Sequence, residues 1–154
     1  MMKMYRAFFV ACVVALLAAG CASGPQYKDM AASIPTLADG QGRIYFFRET
    51  SLFGGGIQPE IRVNNTAVGN SIPGAFFYVD EPAGKYTVAT KTEVEKDVTF
   101  SLNSGETKYV RTSVGLGILV GRITPTLEQA GSAQSIIQGL KYETHIPEPV
   151  NQFR

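Results

Sequence analysis

The chain has 154 residues, 18% charged and 45% hydrophobic, with a formal net charge of +1. That length fits one domain, and so small a positive excess argues against nucleic acid as the main partner, because neutralising phosphates needs a basic patch. The two cysteines, Cys12 and Cys21, both fall in the first 21 residues, so the rest of the chain offers no disulfide framework and no thiolate metal site, and no cofactor is expected.

Lys3 and Arg6 open the chain with positive charge, and Ala7 to Leu17 is uninterrupted apolar sequence, followed by Ala18, Ala19 and Gly20. This is the layout of a secretory signal peptide, residues 1–20. The apolar run through Ala22 is about 16 residues long, short of the roughly 20 that a spanning helix needs. The order Leu17-Ala18-Ala19-Gly20-Cys21 resembles a bacterial lipobox. That resemblance implies cleavage between Gly20 and Cys21 and a diacylglycerol on the Cys21 thiol, which acts as the nucleophile. Ala18 departs from the commonest pattern, which has Leu three places before the cysteine. An incidental cysteine beside an ordinary cleavage site is the competing reading. Each buried methylene contributes about 0.8 kcal/mol, and two or three acyl chains suffice for stable attachment. Cleavage removes Lys3 and Arg6 and turns the charge from +1 to −1, so lipid, not charge, is the expected holding force. Ala22 and Ser23, with no Asp, follow Cys21. For a lipoprotein this implies the outer membrane, facing the periplasm.

Residues 21–41 are rich in small residues, glycine and proline without a period, and read as a flexible tether with one short helical turn near Asp29 to Ala32. A β-rich domain is expected over 42–146. Arg43 to Arg48 (R-I-Y-F-F-R) reads as a central strand buried on both faces. Thr50 to Gln58 reads as a flexible loop. Glu60 to Val63 and Ala67 to Gly69 form a hairpin around Asn64-Asn65, since Asn tolerates the left-handed conformation such turns require. Gly74 to Val79 is another strand, turned by Pro82-Ala83-Gly84. Lys85 to Thr92 and Val98 to Leu102 alternate apolar and polar residues, and Thr107 to Val114 adds a further strand. Leu127 to Leu140 reads as a helix, with Leu127, Ala130, Ala133, Ile137 and Leu140 on one stripe and Thr126 as its N-cap. Residues 147–154 are a tail. Short strands at this spacing predict a mainly β fold, an antiparallel β-sandwich or partly open barrel with one C-terminal helix packed on it.

Three stretches carry a family resemblance: G-R-I-Y-F-F-R at 42–48, V-N-N-T-A-V-G at 63–69 and P-G-A-F-F-Y-V-D-E-P-A-G-K-Y-T-V at 73–88. With the lipobox, they resemble a family of small bacterial lipoproteins known as domain of unknown function 2846, over roughly residues 42 to 115. Asn65 departs from the Gly that commonly follows the hairpin Asn. The resemblance implies a β-rich periplasmic domain and supplies no activity and no functional residues.

The chemistry on offer is sparse. His145 is the one histidine, and it reads as a surface or packing residue, because a triad or metal site needs partners held rigidly around it. Residues 114–121 (V-G-L-G-I-L-V-G) miss the spacing of a dinucleotide loop and are not followed by a helix. They read as a buried strand with a glycine bend or as an apolar patch facing lipid or a partner. Glu93, Glu95 and Asp97 read as a solvated mixed-charge hairpin, with a glycosidase pair or a hard-cation site as alternatives. Tyr45, Phe46, Phe47, Phe76, Phe77 and Tyr78 read as core, with a sugar-binding platform as the alternative on the outer face. The expected interaction surface is Tyr78 with Gly115, Leu116 and Gly117. The expected role is a non-catalytic binding or scaffolding module on a lipid anchor, with another envelope protein or a cell-wall component as partner. The alternatives are a carboxylate-dependent hydrolase of cell-wall sugars and a glycan- or lipid-binding module.

Overall fold

The computed structural model describes residues 22–118 and 121–143. Residues 1–20, read above as a signal peptide, and Cys21, His145 and residues 147–154 lie outside the described residues.

Among the described residues nine strands form two sheets. The first is five-stranded, in the order β8-β7-β1-β4-β9, and the second four-stranded, in the order β3-β2-β5-β6. Their ranges are β1 Gln41–Arg48, β2 Glu60–Val63, β3 Thr66–Asn70, β4 Ala75–Pro82, β5 Gly84–Lys91, β6 Glu95–Leu102, β7 Thr107–Gly115, β8 Arg122–Leu127 and β9 Lys141–Tyr142. The fold is mainly β, an open two-sheet sandwich with one C-terminal helix, as the strand spacing predicts.

β1 is buried on both faces. Its alternation sends Ile44 and Phe46 into the core between the sheets, with Ile61, Val88, Phe100 and Val110. Tyr45 and Phe47 point the other way, to a second core with Phe76, Tyr109, Ala133 and Ile137. The molecule therefore has three layers, because the outer face of the five-stranded sheet is roofed by other elements. Asn64 and Asn65 both adopt positive φ, 47° and 69°, which matches the two-residue turn between β2 and β3.

The pairing departs from an all-antiparallel sandwich in two places. β1 runs parallel to β7, with Arg43 opposite Thr107 and Phe47 opposite Arg111, and β4 runs parallel to β9. Parallel neighbours need a long crossover, usually a helix. Between β1 and β7 the crossover is instead the whole second sheet together with β4.

The helix is shorter than its apolar stripe. α2 spans Ala130–Ile137 and its N-cap is Gln129. Thr126 and Leu127 belong to β8, where they face Arg111 and Val110. An open edge of β7 recruited them, and Pro125 is tolerated there because β8 is itself an edge strand. Ala133, Ile137 and Leu140 are buried against the sheet as the stripe predicts, whereas Ala130 is exposed.

The N-terminal segment read as a tether is docked over residues 22–34. α1 (Tyr27–Met30) and a 3-10 turn (Ala31–Ser33) follow one another, and Tyr27, Met30 and Ile34 pack on the outer core. Tyr142 N–H donates to the Pro25 carbonyl at 2.8 Å, and Tyr27 N–H to that of Leu140 at 3.0 Å. Ala22 is already buried. Gly24 lies so close to the Tyr142 carbonyl that any Cβ would overlap it. The segment escapes recognition by composition because tertiary contacts and borrowed backbone bonds hold it, not an apolar period of its own.

Candidate functional site

β1 and β7 run parallel, so both exit at the same end of the first sheet. Two loop segments lie at that end, residues 49–59 after β1 and, among the described residues, 116–118 and 121 after β7. Arg48, the last residue of β1, organises the first. Its alternation continues that of Ile44 and Phe46, so its side chain enters between the sheets and is 2% exposed. Nη1 donates to the carbonyls of Ile57 (2.6 Å) and Ser71 (3.0 Å), and Nη2 to that of Gly54 (2.8 Å). Its Nε is buried without a hydrogen-bond partner. Burial pulls the guanidinium below its ordinary pKa, because desolvation disfavours the charged form.

The loops brace each other. A Cβ on Gly54 would stand 3.0 Å from the Val114 methyls, and one on Gly121 would stand 2.8 Å from Ile57 Cδ1. Glu93, in the β5–β6 turn, accepts from Ile118 N–H at 3.0 Å and lies 3.8 Å from Arg122 Nε. On this braced base, large apolar side chains project into water: Leu52 is 99% exposed, Phe53 79%, Leu116 96% and Ile118 85%. Residues 50–59 and 112–121 contain no ionisable side chain. Burying each such group is worth about 1.5–3 kcal/mol, which the isolated domain leaves unrealised.

The expected interaction surface therefore divides. Gly115, Leu116 and Gly117 are exposed at this end. Tyr78 is not there but on the outer face, half-buried, with Tyr142 at 6.1 Å and Tyr45 at 5.5 Å between ring centroids. Arg43 lies over the Tyr78 ring at 4.4 Å. Two contacts tie that guanidinium to Asp80, at 2.6 and 2.7 Å, and a third reaches the Pro35 carbonyl at 2.8 Å. Asp80 holds the Arg43 charge and raises its pKa. Tyr45, stacked on Tyr109 at 5.4 Å, is pushed up to about 12, chiefly by burial. This face is thus mostly core beneath α1 and α2, with Tyr78 and Tyr142 half-buried at its rim. Leu52 and Phe53 were hidden in a stretch that reads as plain loop. Their signal was two large apolar residues in a glycine-rich segment with no periodic partner.

The carboxylates serve elsewhere. Asp80 belongs to Arg43, and Glu93 braces the loop of β7. Glu95 and Asp97 stand on exposed positions of β6 opposite Lys91 and Ala89. Among the described residues no group of three His, Cys, Asp or Glu could hold a metal, and no helix is long and apolar enough to cross a membrane. A cleft of about 270 Å³ beside Glu49, Thr50, Ser51, Arg111 and Ser113 falls below the roughly 300–1,000 Å³ of small-molecule sites. Of its two cations, Arg111 already pairs with Glu49 and Glu128, and Arg48 is bonded to backbone carbonyls.

With the fold in view, residues 38–122 match the family model described as protein of unknown function (DUF2846). The chain belongs to that family. It is also similar to an uncharacterized protein of Haemophilus influenzae, 26% identical over 113 residues, covering 70% of this chain and 67% of that protein. No solved structure matches it. The DUF2846 span holds β1 to β7 and leaves out α1 and α2, which pack on the outer face, together with β9 and nearly all of β8.

Proposed function

We propose that this DUF2846 protein is a lipid-anchored, non-catalytic module of the bacterial cell envelope. It sits at the outer membrane on the periplasmic side and binds or scaffolds another envelope component, a protein or the cell wall. The observation that carries the reading is the docked segment after Cys21. Ala22 is buried and Pro25 is bonded to Tyr142, so acyl chains on Cys21 would emerge from the domain's own surface without slack between them. Such an anchor presents one side of the domain to the periplasm and keeps the other at the bilayer. Cys21→Ser is expected to move the protein from the membrane to the soluble fraction. A variant that stays on membranes through a salt wash sinks the anchor. Crosslinking in intact cells then identifies the partner.

One observation favours a glycan-binding reading of the same anchored module. The Tyr78–Tyr142 rim beside Arg43 offers aromatic faces with a cation at their edge. Chemical-shift changes on Tyr78 with wall oligosaccharides, lost in Tyr78→Ala, would establish it. Turnover of wall fragments abolished by Glu93→Gln, Glu95→Gln or Asp97→Asn would instead replace binding with hydrolysis.

A further inference from the structure

We infer that the apolar end is a second membrane contact, in which Leu52 and Phe53 of one loop and Leu116 and Ile118 of the other enter the interfacial layer of a lipid bilayer. This rests on the anchored reading above for where the bilayer is, and on the loop geometry for what enters it.

Four features single out lipid as the occupant. First, the tips are held out, not merely loose. A buried arginine, Arg48, grips the Gly54 and Ile57 carbonyls, and Glu93 grips Ile118 N–H. Second, two ten-residue stretches, 50–59 and 112–121, carry no charge, whereas a protein interface has a polar rim around its apolar centre. Third, the shape is a pair of glycine-flanked tips. Such tips suit shallow burial at the boundary of headgroups and acyl chains. Backbone groups of irregular loops cannot go deeper, since the hydrocarbon core offers them no partners.

Fourth, the anchor is within reach. Arg48 faces Ala75, Ala75 faces Lys141, and Lys141 bridges Gln26, so the N-terminal segment crosses the edge of the sheet level with the apolar end. Three strand steps of about 4.8 Å separate Gln26 from β1. The bridge is antiparallel and Pro25 is bonded to Tyr142, so the chain reaches this level from further back along the sheet edge, and Cys21 precedes Gln26 by five residues, at most about 17 Å of extended chain. A bilayer that takes both the acyl chains and the tips meets the domain along this edge of the sheet and at its apolar end.

The chain contains no tryptophan, so a single Trp reports its own surroundings. Phe53→Trp and Leu116→Trp, introduced separately into the full-length lipoprotein, are reconstituted in phosphatidylcholine vesicles with and without brominated acyl chains. Ser101→Trp, on an exposed position of β6, is the control. The expected result is blue-shifted emission and severalfold quenching by brominated lipid at both tip positions, with the control unquenched. Equal, water-like emission at all three positions overturns the inference. So does a blue shift that grows with protein concentration and ignores brominated lipid, because the tips would then be meeting a second copy of the chain. Mass analysis of the N-terminus judges the anchor separately. An unmodified Cys21 with quenched tips removes the anchor and keeps the insertion, and an acylated Cys21 with unquenched tips does the reverse.

Discussion

Phe46 and Phe53 are seven residues apart and have opposite fates. Phe46 is fully buried, stacked on Phe77 at 4.9 Å between ring centroids, and Phe53 stands in water. Between them, Arg48 is as buried as a core residue while Leu52 is bare. The strand thus ends in an inversion of the usual arrangement, with charge inside and hydrocarbon outside. The two halves depend on each other. The inward guanidinium fixes the loop by donating to its Gly54 and Ile57 carbonyls, and the loop so held leaves Leu52 and Phe53 outside. Burying an arginine without an acid beside it is unfavourable, so the outward tips are held at a cost to folding.

This contrast can be broken from either side. The largest expected effect is Phe46→Ala, which should destabilise the fold by about 3–5 kcal/mol in denaturant titration. Arg48→Met should cost less, about 1–3 kcal/mol for the lost bonds to carbonyls. Its distinctive mark should be faster hydrogen exchange across residues 54–57 while β1 stays protected. Equal acceleration in both would mean that Arg48 serves the core and not the loop. A subtler effect is alkaline. The Tyr45 pKa lies near 12 in the fold against an ordinary 10.0, so the folded state keeps a proton that the unfolded chain releases. The stabilisation is complete below pH 10 and falls away as pH rises toward 12. Tyr45→Phe should flatten that decline, as followed by melting temperature against pH. The smallest change in stability, within about 0.5 kcal/mol, is expected for Phe53→Ser. A loss on the scale of Phe46→Ala would show that the loop tip packs after all.

The inner half of this contrast was legible in the sequence. An unbroken β-branched and aromatic run at 43–48 announces a strand covered on both faces, and two consecutive asparagines announce the tight hairpin. The outer half was not. Arg48 reads as a polar strand end, because nothing local reveals that loop carbonyls wait for it between the sheets. Leu127 shares a helical period with Ile137, yet its register against Val110 overrides that pattern. Pro25 and Tyr27 gain their order from β9 and the turn before it, more than a hundred residues away. Of the expected surface, the glycine run at 115–117 is exposed with Leu116 between its glycines. Tyr78 belongs to the opposite reading of the aromatics, in which core and rim share one face.

The parallel pairing of β1 and β7 also sets an order of events. One side of β1 finds its partner only when residues 107–111 arrive, after an intervening stretch of nearly sixty residues. Contacts of such sequence separation slow folding, typically to milliseconds or seconds. Until then the most apolar strand of the domain keeps one edge open. A chain emerging N-terminus first therefore stays extended and adhesive along R-I-Y-F-F-R, and needs shielding through that interval more than at any later one.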